Sequence, residues 1–211
     1  MSNVVIDLYY WPTPNGRKVS ILLEEIAVPY KIIRVDITKE EQFSKSFTSI
    51  APSNKIPAIF DHETNQHLFE SSTILFYLAK KYNRFLPQNK FWEIQEWLMF
   101  QTSQVGPLLG QAHQFLYFFP GKSKFAEKKY MDYCKRIYET LEKRLENKKY
   151  LVNEYSIADI ATWPWIARHE RHQININNYV NILRWYKDIS RRPAVIAGYN
   201  PMGKKEKIPL S

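Results

Sequence analysis

The sequence predicts an α/β domain followed by an all-α domain. Short apolar runs alternate with an amphipathic helical stripe through the first third of the chain, a proline-bearing connection follows, and beyond it the apolar spacing is helical throughout. The expected division is residues 1–83, a linker over 84–90 and a helical domain over 91–211.

Val4 to Tyr10 reads as a buried strand, stopped by Trp11-Pro12-Thr13-Pro14-Asn15-Gly16. In the helix that follows, Val19, Leu22, Leu23 and Ile26 fall at i, i+3, i+4 and i+7 and make one apolar face. Pro29 closes it, and Lys31 to Val35 is a second strand, paired parallel to the first through a right-handed crossover. A connection carrying Gln42 and Phe47 leads to two short strands around Asp61 to Gln66, and a helix over Ser71 to Tyr82. The order β-α-β-(α)-β-β-α describes a thioredoxin-like sheet. Past Pro87, helices are expected from Phe91 to about Phe118, with a kink at Gly106-Pro107, and from Lys122 to Asn147. Ser156-Ile157-Ala158-Asp159 is a capping box that starts another helix. A last helix spans about Ile182 to Ser190 and stops before Arg192-Pro193, leaving an irregular tail.

Composition narrows the function classes. The 211 residues are 45% hydrophobic and 15% aromatic, enough for a substantial core. The single cysteine, Cys134, excludes an internal disulfide framework and suits a reducing cytosol. No basic, apolar leader and no run near the length of a membrane span is visible, so a soluble cytoplasmic protein is expected. The net charge of +9 is concentrated in Lys122 to Lys149 and in the tail around Lys204, Lys205 and Lys207. No base-reading motif accompanies it, and a solvated helix face explains it, so no nucleic-acid partner is expected.

Asn54 to Ser72 is the most informative stretch. Pro57 opens a strand that otherwise wants to pair, and proline removes a ladder donor. This suits a sheet edge that receives an outside peptide, with Glu70 and Ser71 at the next helix start to grip the peptide's charged end.

These residues carry a family resemblance. The turn at Thr13-Pro14-Asn15-Gly16, Asn54-Lys55-Ile56-Pro57-Ala58-Ile59, Phe69-Glu70-Ser71-Ser72 and Ser156-Ile157-Ala158-Asp159 resemble, in order and spacing, the cytosolic glutathione transferases. The proline-rich turn and Gly106-Pro107-Leu108-Leu109-Gly110-Gln111 are similar to the bacterial nu class, whose members reduce disulfides with glutathione. The resemblance implies a thioredoxin-like glutathione-binding domain, an all-helical glutathione-transferase domain and a homodimer. It makes Pro57 a cis proline and pairs the Ile56 backbone with the cysteinyl part of glutathione. Glu70 and Ser71 then hold the γ-glutamyl group, with Gln42 and Lys55 as candidates for the glycyl carboxylate. Bland readings stand beside this: Glu70 as a simple helix cap, Pro57 as a turn former.

For the thiolate, Thr13 stands where serine-type members place their activating hydroxyl, and Asn15 adds an amide donor. Tyr10 is a rival that falls inside a strand. The acceptor pocket is expected between the domains, from Trp11, His113, Phe115, Phe118 and Trp165. Lys129 takes the place of an arginine that reaches the partner subunit's glutathione, and lysine loses the bidentate geometry. Cys134 lies on an apolar helical face and reads as a small core hydrophobe. The implied activity is disulfide exchange, conjugation to an electrophile (detoxification) or peroxide reduction, with glutathione as co-substrate and no metal. A non-catalytic glutathione-binding or assembly module is the alternative.

Overall fold

The computed structural model describes residues 4–203 and 206–210, so Lys204 and Lys205 of the basic tail lie outside the described residues. Two compact units result, Met1–Arg84 with Arg192–Lys207 and Phe85–Arg191 with Ile208–Ser211.

The first unit is a four-stranded sheet in the order β2-β1-β3-β4, formed by β1 (Ile6–Tyr10), β2 (Tyr30–Arg34), β3 (Ala58–Asp61) and β4 (Gln66–Phe69). β1 and β2 are parallel, joined through α1 (Pro14–Ile26), whereas β1–β3 and β3–β4 are antiparallel. Helix α1 buries the predicted face, Val19, Leu22, Leu23 and Ile26, each side chain contributing on the order of 1.5–3 kcal/mol. A one-turn helix, α2 (Lys45–Thr48), precedes β3, and α3 (Ser71–Lys81) follows β4 with Ile74, Leu75 and Leu78 buried. Pro57 lies one residue outside β3, where its missing N–H interrupts no ladder.

In the second unit a 3₁₀ turn at Gln88–Lys90 leads into the first α-helix, α4 (Phe91–Phe100), which passes through a wider π turn at Gln101–Val105 into α5 (Gly106–Ala112). The irregularity therefore lies just before the expected kink at Gly106-Pro107. A second π turn covers His113–Phe118, and α6 (Lys124–Leu145) buries Cys134, Ile137, Leu141 and Leu145. Helix α7 (Ile157–Ile166) starts on the predicted capping box: Ser156 Oγ accepts from Ala158 N at 3.3 Å, and Asp159 Oδ2 accepts from Ser156 N at 3.1 Å. Helix α8 (Val180–Ser190) follows.

The tail is not irregular. Arg192-Pro193 starts a new helix, α9 (Pro193–Tyr199), with proline at its first position, where a missing N–H costs nothing. It packs on α1, so Arg192–Lys207 groups with the sheet unit rather than with the helices that precede it. A Cβ at Gly198 would collide with the backbone of Ser20 and Ile21, so only glycine permits this approach. Ser20 Oγ donates to Gly198 O at 2.6 Å, and Arg17, fully buried, donates from Nε to Tyr199 O at 3.0 Å and pairs with Glu206. Arg192 closes the far end by a two-pronged pair with Glu25 at 2.5 and 2.9 Å.

Candidate functional site

Strand register brings four of the predicted glutathione residues, Ile56, Pro57, Glu70 and Ser71, to one end of the sheet, whereas Lys129 lies on α6 in the helical unit. Tyr9 pairs with Ala58 and Ala58 with Phe69. One step beyond the ladders, the chain leaving β1 (Trp11 to Thr13), the chain entering β3 (Ile56, Pro57) and the chain leaving β4 (Glu70, Ser71) lie side by side. In register, Pro57 stands opposite Glu70.

The Ile56–Pro57 peptide is cis. The Ile56 side chain is buried with Val35, Phe47, Ala51 and Ala58, while no backbone hydrogen bond joins Ile56 to another described residue. The preceding loop is held by Asn54 N to Ala51 O at 2.8 Å and Thr48 Oγ1 to Asn54 Oδ1 at 2.6 Å. An anchored side chain thus carries an unpaired main-chain edge, with exposed Lys55 beside it. Gln42 sits on a 3₁₀ turn before α2, its Oε1 buried without a hydrogen-bond partner among the described residues.

Glu70 occupies the N-cap position of α3 but makes no side-chain cap bond. Its backbone is at φ 67°, ψ 112°, outside the regions where a non-glycine residue rests comfortably, and its side chain is exposed. The simple-cap reading of Glu70 therefore does not apply. Ser71 begins the helix and is buried, and its Oγ accepts from Lys18 Nζ at 3.2 Å.

Lys18 is a residue that sequence reasoning passed over. It is only 2% exposed, and burial pulls its ammonium down to about 7, with the Glu70 charge working against the shift. The signal was a cation next to the apolar stripe of α1, a position that a solvated helix face also produces.

Thr13 is the N-cap of α1; its Oγ1 accepts from Gly16 N at 3.1 Å, so the hydroxyl proton is not used by the cap. Asn15 lies in the first turn behind Pro14. Gly16 is required here, because a Cβ would overlap the Trp11 carbonyl oxygen and stand 3.0 Å from the Tyr10 ring. Tyr10 itself is fully buried, and desolvation raises its phenol pKa, which makes it a core residue. Trp11 is half-buried beneath the Arg34 guanidinium, 5.0 Å from the ring.

In the helical unit, His113 and Trp165 are buried and stack with centroids 5.6 Å apart, His113 also stacking on His172 at 4.8 Å. Burial, then Arg171 and Arg168, takes His113 down to about 3, so it is neutral at physiological pH. Phe118 stands edge-on to His113 at 6.5 Å with half its surface exposed. Phe115 stacks on Tyr130 and lines a cleft of about 250 Å³ with Leu116, Lys128 and Gln173. Exposed Lys129 rests its Nζ 5.8 Å over the Phe125 ring. Cys134 is buried, and desolvation pushes its thiol up to about 12, far from a reactive thiolate. Among the described residues no cluster of His, Cys, Asp and Glu is arranged to hold a metal, and no helix is long and apolar enough to cross a membrane.

Residues 4–80 match the family profile of the glutathione S-transferase N-terminal domain, and residues 105–193 match that of the C-terminal domain. The chain belongs to the glutathione S-transferase family. It is 42% identical to the Escherichia coli disulfide-bond oxidoreductase YfcG over 90% of this chain and 92% of that protein. A Pseudomonas putida glutathione transferase, solved with one glutathione disulfide bound per subunit, superposes with a TM-score of 0.87 at 37% identity, covering 92% of this chain and 90% of that one. A Burkholderia graminis glutathione transferase, solved with two glutathione molecules per subunit, gives 0.88 at 37% identity, covering 96% and 90%.

Proposed function

We propose that the chain is a glutathione-dependent enzyme that reduces disulfides by direct attack of bound glutathione thiolate. The observation that carries this reading is the Ile56 main-chain edge, without a backbone partner among the described residues and one register step from the strained, exposed Glu70. The cysteinyl residue of glutathione pairs with that edge. Its γ-glutamyl ammonium meets Glu70, its α-carboxylate meets Ser71 and the α3 N-terminus, and its glycyl carboxylate lies toward Lys55 and Gln42.

Sulfur then lies over the start of α1. A free thiol has a pKa near 8.5, and lowering it by about two units takes ~2.7 kcal/mol of preference for the anion. The Thr13 hydroxyl proton, an Asn15 donor and the positive end of α1 are the groups that supply it. The thiolate attacks one sulfur of the substrate disulfide and expels the other as thiolate. A second glutathione resolves the mixed disulfide, releasing glutathione disulfide and the reduced product. That two glutathiones, or their disulfide, are bound in the relatives solved from B. graminis and P. putida supports this sequence of steps. With Cys134 buried, no enzyme thiol takes part. The working species is a cytoplasmic homodimer, in which Lys129 faces the partner's glutathione.

Glutathione-dependent turnover of hydroxyethyl disulfide, measured beside chlorodinitrobenzene conjugation, tests the reading. Turnover of the disulfide well above that of the chloroarene is expected. Tight glutathione binding with neither activity would make the chain a binding module instead.

A further inference from the structure

Placing glutathione uses Ser71 but gives no task to the buried Lys18 that contacts it. Lys18 lies almost wholly inside the protein, on the same helix as the apolar face of Val19, Leu22, Leu23 and Ile26. Burying an ammonium carries a large desolvation cost, and methionine or leucine would fill such a position without it. Its Nζ donates to Ser71 Oγ at 3.2 Å. Because that oxygen is already accepting, the Ser71 hydroxyl proton is turned away from Lys18. The contact lies at the first residue of α3, where the helix's own partial positive charge is concentrated. Glu70, immediately before it, presents an exposed carboxylate. The end of α3 is thus a charge doublet, negative outside at Glu70 and positive underneath at Lys18, matching an amino-acid head group with its ammonium and carboxylate.

We propose that Lys18 is the positioning residue for the α-carboxylate of the γ-glutamyl group: it orients the Ser71 hydroxyl toward that carboxylate and supplies the buried positive charge opposite it. The proposal rests on the glutathione reading of this site. It makes the first residue of the tripeptide, rather than its glycine, the part the enzyme reads most strictly.

Calorimetry with two ligands, glutathione and γ-aminobutyryl-cysteinyl-glycine (the same molecule without the α-carboxylate), tests it. Wild type is expected to prefer glutathione by about tenfold or more, the size of a charge-assisted hydrogen bond. Lys18→Met should lose that preference by weakening glutathione alone, with the analogue held within about twofold, and Lys18→Arg should restore part of it. A folded Lys18→Met protein that binds glutathione like wild type, or that loses both ligands equally, overturns the proposal. If Lys18→Met does not fold, wild type still decides, since equal affinity for the two thiols is incompatible with a carboxylate-reading charge. Failure of wild type to bind either thiol sinks the glutathione reading itself, an outcome distinct from equal binding.

Discussion

Two helix starts in this chain solve the same problem in opposite ways. At α7 the start is closed by protein groups: Ser156 Oγ accepts from Ala158 N at 3.3 Å, Phe85 O from Ile157 N at 3.0 Å, and buried Asp159 from Ser156 N and Oγ, Leu151 N and Trp185 Nε1 at 2.8–3.2 Å. At α3 the N-cap residue Glu70 gives its helix no side-chain bond, holds a strained backbone and points its carboxylate to solvent. A start that is complete serves folding; the start left open, at an energetic cost, is where we propose that the γ-glutamyl group sits.

Breaking the closed start should have the largest effect. Asp159→Ala is expected to destabilise the protein by about 3–5 kcal/mol in urea denaturation, because buried donors lose their acceptor, while glutathione affinity of the folded fraction stays unchanged. The same carboxyl carries a pH signature. Burial pushes it up to about 6, above its unfolded value of 3.8. The stability it contributes is therefore fully present below about pH 4 and is lost as pH rises through 6. The advantage of wild type over Asp159→Asn should shrink by up to about 3 kcal/mol between pH 4 and 7.

At the open start the balance inverts. Glu70→Ala should weaken glutathione by about 30–100-fold, roughly 2–3 kcal/mol, with unfolding free energy changed by less than ~1 kcal/mol. Glu70→Gly sharpens the contrast: it should lose binding equally yet raise Tm, since glycine tolerates φ 67° without strain. A Tm that falls in the glycine variant would mean that Glu70 is held there for the fold.

Thr13 belongs to both kinds. Thr13→Ala should lower kcat/KM for the disulfide by about tenfold, with a smaller effect on glutathione binding, and cost ~1 kcal/mol of stability through the lost cap; Thr13→Ser should keep both. The smallest effect is expected at Cys134. Cys134→Ala should leave turnover within about twofold, and a dead variant would refute a mechanism without an enzyme thiol.

The succession of strands and helices in the first unit, the apolar face of α1 and the Ser156–Asp159 box were legible because each follows from local periodicity or capping chemistry. That Ile56, Glu70 and Thr13 belong together came from the family resemblance; the register of β1, β3 and β4 is what sets their chain segments side by side. What sequence could not show depends on tertiary placement. Arg192-Pro193 signals a stop as readily as a start, and the decision for α9 rests on Gly198 meeting the α1 backbone. His113 and Trp165 fit a pocket wall or a core equally well in sequence, and only packing inside the helical unit shows that both are buried. Lys18 and Arg17 are adjacent cations that read as a wet helix face, and only the arrival of Ser71 on one and Tyr199 on the other takes them out of water.

The seat of α9 also governs how this protein can be dissected. A fragment ending at Arg84 would expose the Ser20–Ile21 groove and leave the Arg17 guanidinium without Tyr199 and Glu206. Any autonomous sheet domain must therefore be built as a fusion, its first 84 residues tethered to the 192–207 peptide, or supplied with that peptide in trans as a split protein.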